Sequence, residues 1–528
     1  MDLNRLTRHW AELFDTSKPR IAPMHVSSLR TILYPISSQF SRRVLGFSLG
    51  QVVILLAYTI LICFGMFLFS DPVSNPKRAG WIVVTQIPAA FLLASKNSLI
   101  GLLVGKGYEK LNYLHRWVGQ MIFIAALFHV VSWLVVWTKA NDLTKNMRTQ
   151  VSITGMVAFS GICVLALSSI PVMRNKLWMI FSYGHIIGFT TFVVGACYHV
   201  PVAIPWCVAA GGIYALDLIL RAVQVHYKPA TIEYLPALKA TRVVVPSLRS
   251  GWRAGQHVRL FVLSSGMGVM NAVESHPFTI ASTSEDQEGM VLYCREAGDW
   301  TRQLAKLARG HPAAPLGYGS SDKEAGFSSG RTVNVLVQGP YGGPGNVIFS
   351  SFSSAMFVCG GGGITFGLSA TQDVIRDAFD RCSRIRVVDL VWVVQDPSAL
   401  IPILPAFKRL VSAAESISSV SLHIHVHYTR ASNFSASSIG DLHLPEEIKL
   451  VPGRPDLGDM LAALCDCTSG IKNAPAPGGE REQLYGVVVG ACGPEPLMDS
   501  VRKAEHAVGR SVRNAVGGVE LVEEAFAW

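Results

Sequence analysis

The sequence predicts a multi-domain membrane protein: a six-helix transmembrane bundle, then an antiparallel β-barrel domain, then an α/β domain with a parallel sheet. Half of its 528 residues are hydrophobic and 16% are charged, whereas a typical soluble protein has about 25% charged residues. The long apolar runs lie within residues 44–223. Short β-like runs with turns follow from residue 228, and strands alternate with helices from about residue 354.

The bundle is predicted from six apolar segments, because a helix needs roughly 20 apolar residues to cross a bilayer. The predicted spans are about 44–70, 81–105, 115–138, 151–172, 180–200 and 202–223. Six spans place both ends of the chain on one side, and the basic residues before the first span indicate that this side is the cytosol. We therefore expect residues 1–43 to form a cytosolic N-terminal tail.

The net charge of +10 bears on the partners of the chain. Many lysines and arginines lie in the tail and in the loops that flank the spans, where they would contact the anionic headgroups of a lipid bilayer. A nucleic-acid-binding protein would instead cluster its basic residues on one element, so we expect no nucleic-acid partner. Ten cysteines are scattered without the spacing of a disulfide framework or a zinc site, which fits a reducing cytosol.

Four histidines fall in the predicted spans: His115 and His129 in the third, His185 and His199 in the fifth. The members of each pair are 14 residues apart, close to four helical turns, so they share a face and lie roughly 21 Å apart along the axis. Because the two spans run in the same direction, His115 should meet His185 near the cytosol and His129 should meet His199 toward the outer side. The pattern predicts two stacked haems, each iron held by two imidazoles, which favours electron transfer over ligand binding. A proton or metal pathway is the alternative, but it gives no reason for the repeated spacing.

The barrel carries the run His276-Pro277-Phe278-Thr279-Ile280 on a strand. There Thr279 could hydrogen-bond a flavin ring and His276 could meet its pyrophosphate, although a core strand with a satisfied histidine explains the run equally well. Further on, the segment Arg295 to Thr301 leads into an apparent helix. The backbone amides at that helix start, together with Thr301, suit a pyrophosphate.

A glycine-rich turn in the α/β domain predicts a second phosphate-binding site. The run Gly360-Gly361-Gly362-Gly363-Ile364-Thr365 follows a strand and opens a helix. Glycines let the backbone approach a phosphate, and the helix N-terminus attracts its charge. Cys492 ends a later strand, at the carboxyl edge of the predicted sheet, where ligands bind in such domains. A buried packing thiol is the alternative for this residue.

These motifs resemble, in order, those of the ferric reductase/NADPH oxidase superfamily, and most of all those of fungal ferric-chelate reductases. The resemblance covers about residues 80–528. It rests on the two histidine pairs and on SKNSLIGLLVGKGYEKLNYLHR, HPFTI, GDWT, GPYGG, GGGGIT, Gly453-Arg454-Pro455, ACGP and the ending Glu524 to Trp528. It implies a tail (1–43), a transmembrane di-haem domain (44–223), an FAD-binding barrel (228–345) and an NADPH-binding α/β domain (346–528), the last two ferredoxin reductase-like.

The resemblance also implies an electron path. NADPH would pass hydride to FAD, and single electrons would then reach the inner b-type haem, the outer b-type haem and an extracytoplasmic acceptor. The implied FAD contacts are His276, Pro277, Phe278 and Thr279, with Arg295, Gly298 and Thr301 near the pyrophosphate. The implied NADPH contacts are Gly360, Gly361, Gly362, Gly363, Ile364 and Thr365 at the phosphates, Cys492, Gly493 and Pro494 at the nicotinamide, and Arg454 at the 2′-phosphate. Phe526 or Trp528 would stack on the isoalloxazine, and with Thr279 and Cys492 they form the implied catalytic set.

Two activities share all of these motifs. The similarity to fungal reductases favours an NADPH-dependent reductase of ferric chelates, and also of cupric ions, with an iron permease or an oxidase as a protein partner. The alternative is an NADPH oxidase that reduces oxygen to superoxide. A non-enzymatic scaffold is disfavoured because the histidines and nucleotide motifs are intact. We expect the plasma membrane rather than a vacuolar or other internal membrane, with the C-terminal domains in the cytosol.

Two further features are weighed and set aside. Asp396, at the end of a strand, is the residue type that favours NADH, but it lies 33 residues past Gly363, further than the spacing of about 20 that the rule requires. We therefore expect NADPH. His423, His425 and His427 alternate on a strand and share a face. With no acidic or cysteine partner nearby in the sequence, a plain strand is preferred to a metal site.

Overall fold

The computed structural model of the chain describes residues 47–71, 73–310, 330–430, 444–471 and 484–525, together with Phe40, Arg43 and Val44. Most of the predicted N-terminal tail therefore lies outside the described residues. The chain forms two compact units. The membrane unit lies within Ser37–Gln224, and the C-terminal unit begins at Val225.

The described part of the membrane unit contains nine α-helices and one short antiparallel strand pair. They are β1 (Arg43–Val44), β2 (Phe47–Ser48), α1 (Leu49–Phe67), α2 (Lys77–Ala94), α3 (Leu99–Val104), α4 (Tyr108–Lys139), α5 (Leu143–Met147), α6 (Gln150–Ser168), α7 (Pro171–Lys176), α8 (Trp178–His199) and α9 (Ile204–Val223). Among the described residues, five segments are long and apolar enough to cross a membrane: α1, α4, α6, α8, and α9 with the short turn before it. The predicted membrane bundle is confirmed.

The second predicted span differs from its prediction. The helix found there, α2, begins at Lys77, contains Gln86 and Pro88, and is not among the five segments apolar enough to cross a membrane. It ends at Ala94, and the side chain of Ser98 then caps the separate short helix α3. The single long span was therefore wrong, because serines at these positions bond the backbone locally and interrupt the helix. The bundle thus consists of the five apolar segments and α2, which is shorter and more polar.

Helices α6 and α8 pack closely through small residues. A Cβ added at Gly161 on α6 would lie 2.5 Å from the backbone nitrogen of Phe192, and one added at Gly195 on α8 would lie 2.8 Å from the nitrogen of Ala158. Small residues let membrane helices approach until their backbones touch. This contact fixes α8, which carries two of the four histidines, against α6. Helix α2 packs against α4, which carries the other two.

A buried carboxylate ties the segment between α2 and α3 to α9. Oδ1 of Asp217 accepts hydrogen bonds from the backbone and side-chain amides of Asn97, at 2.9 and 3.2 Å. Arg221 Nε lies 3.1 Å from Asp217 Oδ2. Gln224 donates to the side-chain oxygen of Asn97 at 3.1 Å. The acid in this apolar segment is thus paired, as buried charges in membrane helices require.

The first half of the C-terminal unit is a six-stranded antiparallel sheet in the order β6-β5-β8-β3-β4-β7. Its elements are β3 (Val225–Leu235), β4 (Ala240–Val245), β5 (Gln256–Leu263), α10 (Gly268–Val273), β6 (His276–Thr279), β7 (Met290–Arg295), α11 (Asp299–Arg309) and β8 (Arg331–Gly342). A bridge between Ile280, just after β6, and Leu292 on β7 joins the two edge strands. The sheet is therefore a nearly closed barrel, as predicted.

The second half is a six-stranded parallel sheet in the order β12-β11-β10-β9-β13-β14. Its elements are β9 (Ser354–Gly360), α12 (Ile364–Phe379), β10 (Val387–Val394), α13 (Leu404–Glu415), β11 (Ser421–Tyr428), β12 (Ile448–Pro452), α14 (Leu457–Ile471), β13 (Val487–Gly493), α15 (Glu495–Ala507), α16 (Arg510–Val516) and β14 (Val519–Ala525). The chain runs outward from β9 to β12 and then returns to the other side of β9 for β13. The strand order thus reverses between β9 and β13, and ligands bind at the carboxyl ends of such a switch point.

Candidate functional site

The four histidines of the membrane unit form two pairs. The ring centroids of His115 and His185 are 6.2 Å apart, and those of His129 and His199 are also 6.2 Å apart. Helix α4 supplies one member of each pair and α8 the other. The structure therefore pairs the histidines that were predicted to lie at the same depth in the bundle. They define the His115–His185 level and the His129–His199 level.

The spacing within each pair fits one metal ion with two imidazole ligands. A bond from a metal to an imidazole nitrogen is about 2 Å long, and that nitrogen lies about 1 Å from the centre of its ring, so two imidazoles on one ion place their centroids about 6 Å apart. The observed 6.2 Å at both levels matches this value. Both gaps are thus wide enough for an iron ion between the rings.

Each of the four imidazoles is also oriented by a hydrogen bond at Nδ1. The partners are the carbonyl of Ala90 for His115 (2.9 Å), the carbonyl of Pro76 for His129 (2.8 Å), the carbonyl of Val151 for His199 (2.8 Å) and the hydroxyl of Ser169 for His185 (3.2 Å). A proton on Nδ1 leaves Nε2 unprotonated and able to bind a metal. The residues at each level therefore fit a haem iron held by two imidazoles.

Two of the carbonyl partners, Pro76 at the N-cap of α2 and Ala90 within it, are residues that sequence reasoning missed. Pro76 and Ala90 are 14 residues apart, the same spacing that separates His115 from His129 on α4. The matched spacing lets one helix hold both histidines of its neighbour. Nothing in the residue types signals this role, because every residue contributes a carbonyl.

A cavity of about 490 Å³ adjoins the His129–His199 level. Its volume lies in the range of about 300–1,000 Å³ that is usual for cofactor sites. The wall is mainly apolar and includes Trp81, Trp133 and Trp137, while Lys77 also reaches it. Such a lining suits a large apolar group with an anionic edge, which is the chemical character of haem.

The HPFT run forms β6, beside the start of α11. The ring of His276 lies 4.8 Å from that of Trp300, and the ring of Phe278 lies 5.8 Å from it. Thr279 faces His257 across the pairing of β6 with β5. The structure thus gathers the predicted flavin contacts on one edge strand of the barrel, around the buried indole of Trp300.

Arg259 on β5 is a second residue that sequence reasoning missed. It lies opposite Pro277 and donates to Ser275, at 2.6 Å to the carbonyl and 3.0 Å to the hydroxyl. Burial lowers the pKa of His276 and so favours its uncharged form. Arg259 therefore places a permanent positive charge beside it. A lone arginine in the apolar strand HVRLFVL was the available signal.

Thr301 is placed differently from Arg295. The hydroxyl of Thr301 is buried, accepts from the amides of Ala297 (2.9 Å) and Gly298 (3.0 Å), and donates to the Gly298 carbonyl. The hydroxyl therefore closes the start of α11, and its hydrogen bonds are all made within the protein.

Arg295 ends β7, and a Cβ added at Gly361 would lie 3.3 Å from its Nη1. The structure thus brings this cation of the barrel beside the glycine-rich turn.

The glycine-rich turn and the ACGP loop lie side by side at the switch point. Gly361 has a φ of +53°, in the left-handed region that favours glycine. A Cβ at Gly360 would lie 2.7 Å from Cδ of Pro494, and one at Gly363 would overlap the carbonyl of Cys492. These close approaches require glycine and leave the backbone of the turn bare toward the crevice.

Side chains next to the turn are turned inward. Ile364 and Thr365 begin α12 and are buried, and the Thr365 hydroxyl donates to the Gly362 carbonyl at 3.2 Å. Cys492 is 1% exposed and belongs to the same core cluster as Cys359, its neighbour across the pairing of β13 with β9. Gly493 ends β13 and is packed against Gly360. These side chains are therefore packed inside the domain, and backbone rather than side-chain atoms border the crevice.

Trp392 holds the glycine-rich turn in place through a hydrogen bond to its backbone. It is fully buried on β10, and its indole N–H donates to the carbonyl of Gly361 at 2.9 Å. We expect Trp392→Phe to weaken nicotinamide nucleotide binding and to destabilise the C-terminal unit by about 1 kcal/mol, because the carbonyl loses its donor while the aromatic packing is kept. Nucleotide titration and thermal unfolding of the full chain measure the two effects.

Trp252 offers a matched control for this prediction. Its buried indole donates to the Ser282 carbonyl at 2.9 Å, within the barrel and away from the turn. Trp252→Phe should cost similar stability without changing the affinity for the nicotinamide nucleotide. Equal nucleotide affinity in both variants would contradict a positioning role for Trp392.

The carboxyl edge of the sheet carries two exposed arginines. Arg454 follows β12, and Arg430 follows the neighbouring strand β11. Asp396 follows β10, but its carboxylate accepts from the Ser398 amide at 2.8 Å and so caps a local turn. The edge therefore offers cations rather than a free acid. Arg430 was missed by sequence reasoning, although its place just past a strand was visible.

Two predicted features remain. Phe526 and Trp528 lie outside the described residues. His423 does have an acidic partner, Asp389 Oδ1 at 2.9 Å, which raises the pKa of the imidazole. The three alternating histidines lie on the strand β11, as predicted. In the described part of the chain there is no group of three or more candidate ligands that could hold a metal ion.

Membrane helices with paired histidines, a flavin-type barrel and a nucleotide-binding sheet define a class: membrane-bound, nucleotide-dependent flavoprotein reductases. Three family descriptions match the chain in this order. They are a ferric reductase-like transmembrane component at residues 79–196, an FAD-binding domain at 227–345 and a ferric reductase NAD-binding domain at 352–505. The chain belongs to the ferric reductase family, and the resemblance seen in its motifs is confirmed.

Curated fungal relatives agree with this assignment. The chain is 27% identical to a probable cell surface ferric reductase kap2 of Aspergillus oryzae, over 72% of this chain and 53% of that protein. It is 25% identical to ferric/cupric reductase transmembrane component 7 of Saccharomyces cerevisiae, over 66% and 56%. The chain spans about half the length of these relatives. A ferredoxin reductase of carbazole 1,9a-dioxygenase aligns with 57% of this chain and 70% of its own, at a TM-score of 0.33 and 12% identity, a likeness too weak to support a conclusion.

Proposed function

We propose that the protein is an NADPH-dependent ferric reductase, acting also on cupric ions, that carries electrons across a membrane to a metal ion on the far side. The observation that supports this most is the pair of histidine levels, each with ring centroids 6.2 Å apart, in a chain that also has FAD-binding and NAD-binding components. Relatives named as ferric and ferric/cupric reductases support the choice of acceptor.

The membrane unit would hold two b-type haems on its four histidines. When bound, FAD and the haems supply the conversion of a two-electron donor into single electrons and their conduction. The carbonyls of Ala90, Pro76 and Val151 would keep three imidazoles in the metal-binding tautomer. Two imidazole ligands on each iron would favour electron transfer over ligand binding at the metal.

The C-terminal unit would hold FAD and NADPH. His276, Pro277, Phe278 and Thr279 on β6 would contact the flavin, and Phe526 or Trp528 would stack on its ring. Arg259 and Arg295 would supply positive charge near phosphates. The bare backbone from Gly360 to Gly363 would approach the phosphates of NADPH, and the loop of Cys492, Gly493 and Pro494 would lie beside its nicotinamide.

In this proposal the C-terminal unit lies in the cytosol, and the His129–His199 level lies toward the extracytoplasmic side. The basic residues before the first span support this orientation. The plasma membrane is the proposed site, in line with the cell-surface relative. A ferric chelate would be the natural substrate, and an iron permease or an oxidase would receive the product.

NADPH rather than NADH is proposed as the donor because two exposed arginines follow the strand ends while the carboxylate of Asp396 caps a local turn. We expect Arg454→Ala and Arg430→Ala each to raise KM for NADPH about 10- to 100-fold, because a hydrogen bond between two charged groups contributes about 1.5–3 kcal/mol. KM for NADH should change little. Arg381→Ala, an exposed arginine elsewhere in the same domain, is the control. Equal losses with both nucleotides would contradict a role at the 2′-phosphate.

A reduced-minus-oxidised haem spectrum of the purified full chain tests the proposed function. NADPH should reduce the haem, and a ferric chelate should reoxidise it. A protein loaded with haem and FAD that reduces no ferric chelate would exclude the reductase. Dye reduction that superoxide dismutase suppresses would identify an oxidase instead.

A further inference from the structure

Two glycines lie against the histidines of one level and not of the other. A Cβ added at Gly80 on α2 would lie 2.9 Å from Cε1 of His129 and 3.1 Å from its Nδ1. A Cβ added at Gly155 on α6 would lie 2.7 Å from Cε1 of His199 and 2.8 Å from its Nδ1. Carbon atoms do not approach this closely, so any larger residue must displace the ring.

The positions of these glycines follow from helix geometry. Gly80 is four residues after Pro76, and Gly155 is four residues after Val151, the two residues whose carbonyls accept from His129 and His199. In an α-helix the residue four positions on stands directly over a carbonyl. At Gly80 and Gly155 the imidazole lies so close to this position that an added Cβ would overlap the ring.

The His115–His185 level is built without this device. The fourth residue after Ala90 is Ala94, and His185 is held by a serine hydroxyl on Ser169 instead of a helical carbonyl. The hydroxyl of Ser169 projects from the backbone, so His185 can reach it without a glycine on the neighbouring helix. The two levels therefore differ in how their imidazoles are oriented.

We infer that Gly80 and Gly155 are positioning residues of the His129–His199 level, which admit each imidazole to a helical carbonyl and so fix Nε2 toward the metal. The inference rests on the proposed haem ligation. It extends that proposal by assigning two residues on different helices to one haem. A hydrogen bond from Nδ1–H to a carbonyl raises the donor strength of a histidine ligand, so its loss weakens the bond to ferric iron.

The test compares Gly80→Ala and Gly155→Ala in the purified full chain with Gly119→Ala and Gly211→Ala. The control glycines lie in α4 and α9, and an added Cβ meets nothing within 4 Å at either. Haem per FAD, redox titration and low-temperature electron paramagnetic resonance are measured. Each test variant should lose one haem of two, or shift one midpoint potential upward and change one low-spin signal. Its metal affinity at that level should fall about 10- to 100-fold, as for other outer-shell partners.

The double variant separates this inference from a general loss of structure. Because both glycines serve one level, Gly80→Ala with Gly155→Ala should affect the same haem component as His199→Ala and spare the other. Two unchanged components in both single variants, as in the controls, would overturn the inference while the haem proposal stands. Loss of both components in each single variant would also overturn it. A wild-type chain without haem would instead overturn the haem proposal itself.

Discussion

Replacement of His199 by alanine is expected to remove one of two haems and to abolish ferric reduction across the membrane, while NADPH still reduces the flavin. The imidazole of His199 faces His129 with ring centroids 6.2 Å apart, so under the proposed ligation its loss would leave the iron at that level with one ligand. Loss of an outer-shell partner costs about 10- to 100-fold in metal affinity, and loss of the ligand itself should cost more. The ratio of haem to FAD measures the loss of haem. NADPH-dependent dye reduction measures the retained reduction of the flavin, and ferric reduction in sealed vesicles measures electron transfer across the membrane.

The other level supplies the matched comparison. His185→Ala should also stop ferric reduction and remove one haem, but the spectral component that remains should be the one lost in His199→Ala. Dye reduction at the flavin should persist in both variants, because the C-terminal unit is unchanged. If His199→Ala retained two haems with unaltered spectra, the proposed ligation would be wrong.

Arg513→Met is expected to destabilise the C-terminal unit by about 3–5 kcal/mol, the usual cost of breaking a buried ion pair. Arg513 on α16 is 1% exposed, and its guanidinium lies 2.8 Å from the carboxylate of Glu505, which is 5% exposed. It also donates to the carbonyls of Val508 (3.1 Å), Val519 (3.2 Å) and Glu505. The variant leaves the carboxylate of Glu505 and three backbone carbonyls near the start of β14 without the donor that Arg513 supplied.

Thermal unfolding of the full chain, followed by flavin release and by proteolysis of the C-terminal unit, measures this loss. Arg510→Met on the same helix is the control, because Arg510 is exposed and surface substitutions usually change stability by less than about 0.5 kcal/mol. Adding Glu505→Leu to Arg513→Met should recover much of the loss, since no unpaired charge then remains buried. A single variant as stable as the control would contradict the structural role of the pair.

Much of the fold could be predicted because its determinants are local. Apolar segments of about 20 residues are visible one at a time, and five of the six predicted spans correspond to segments apolar enough to cross a membrane. The order of strands and helices after Ser354 likewise predicts a parallel sheet. The second span was the exception, because hydropathy averages over residues such as Ser95 and Ser98 and does not register the local hydrogen bonds that end a helix.

The candidate site was predictable in part for the same reason. A spacing of 14 residues on a helix is a property of one segment, so the two histidine pairs could be recognised, and the parallel direction of the two spans gave their partners. Arg259 and Trp392 were missed because each acts through a contact with residues distant in the chain. Thr301 was recognised, but only the structure shows its hydroxyl turned inward to close the helix start.

The sequence by itself determined the membrane unit, the two nucleotide-type domains and the depth of the four histidines, because periodicity and glycine-rich turns are written along the chain. The tertiary structure alone decided what holds each imidazole. Three of the partners are backbone carbonyls, at Ala90, Pro76 and Val151, and a carbonyl carries no residue type by which a sequence could mark it. Which carbonyl is reached depends on helix packing, and on the absence of a side chain at Gly80 and Gly155.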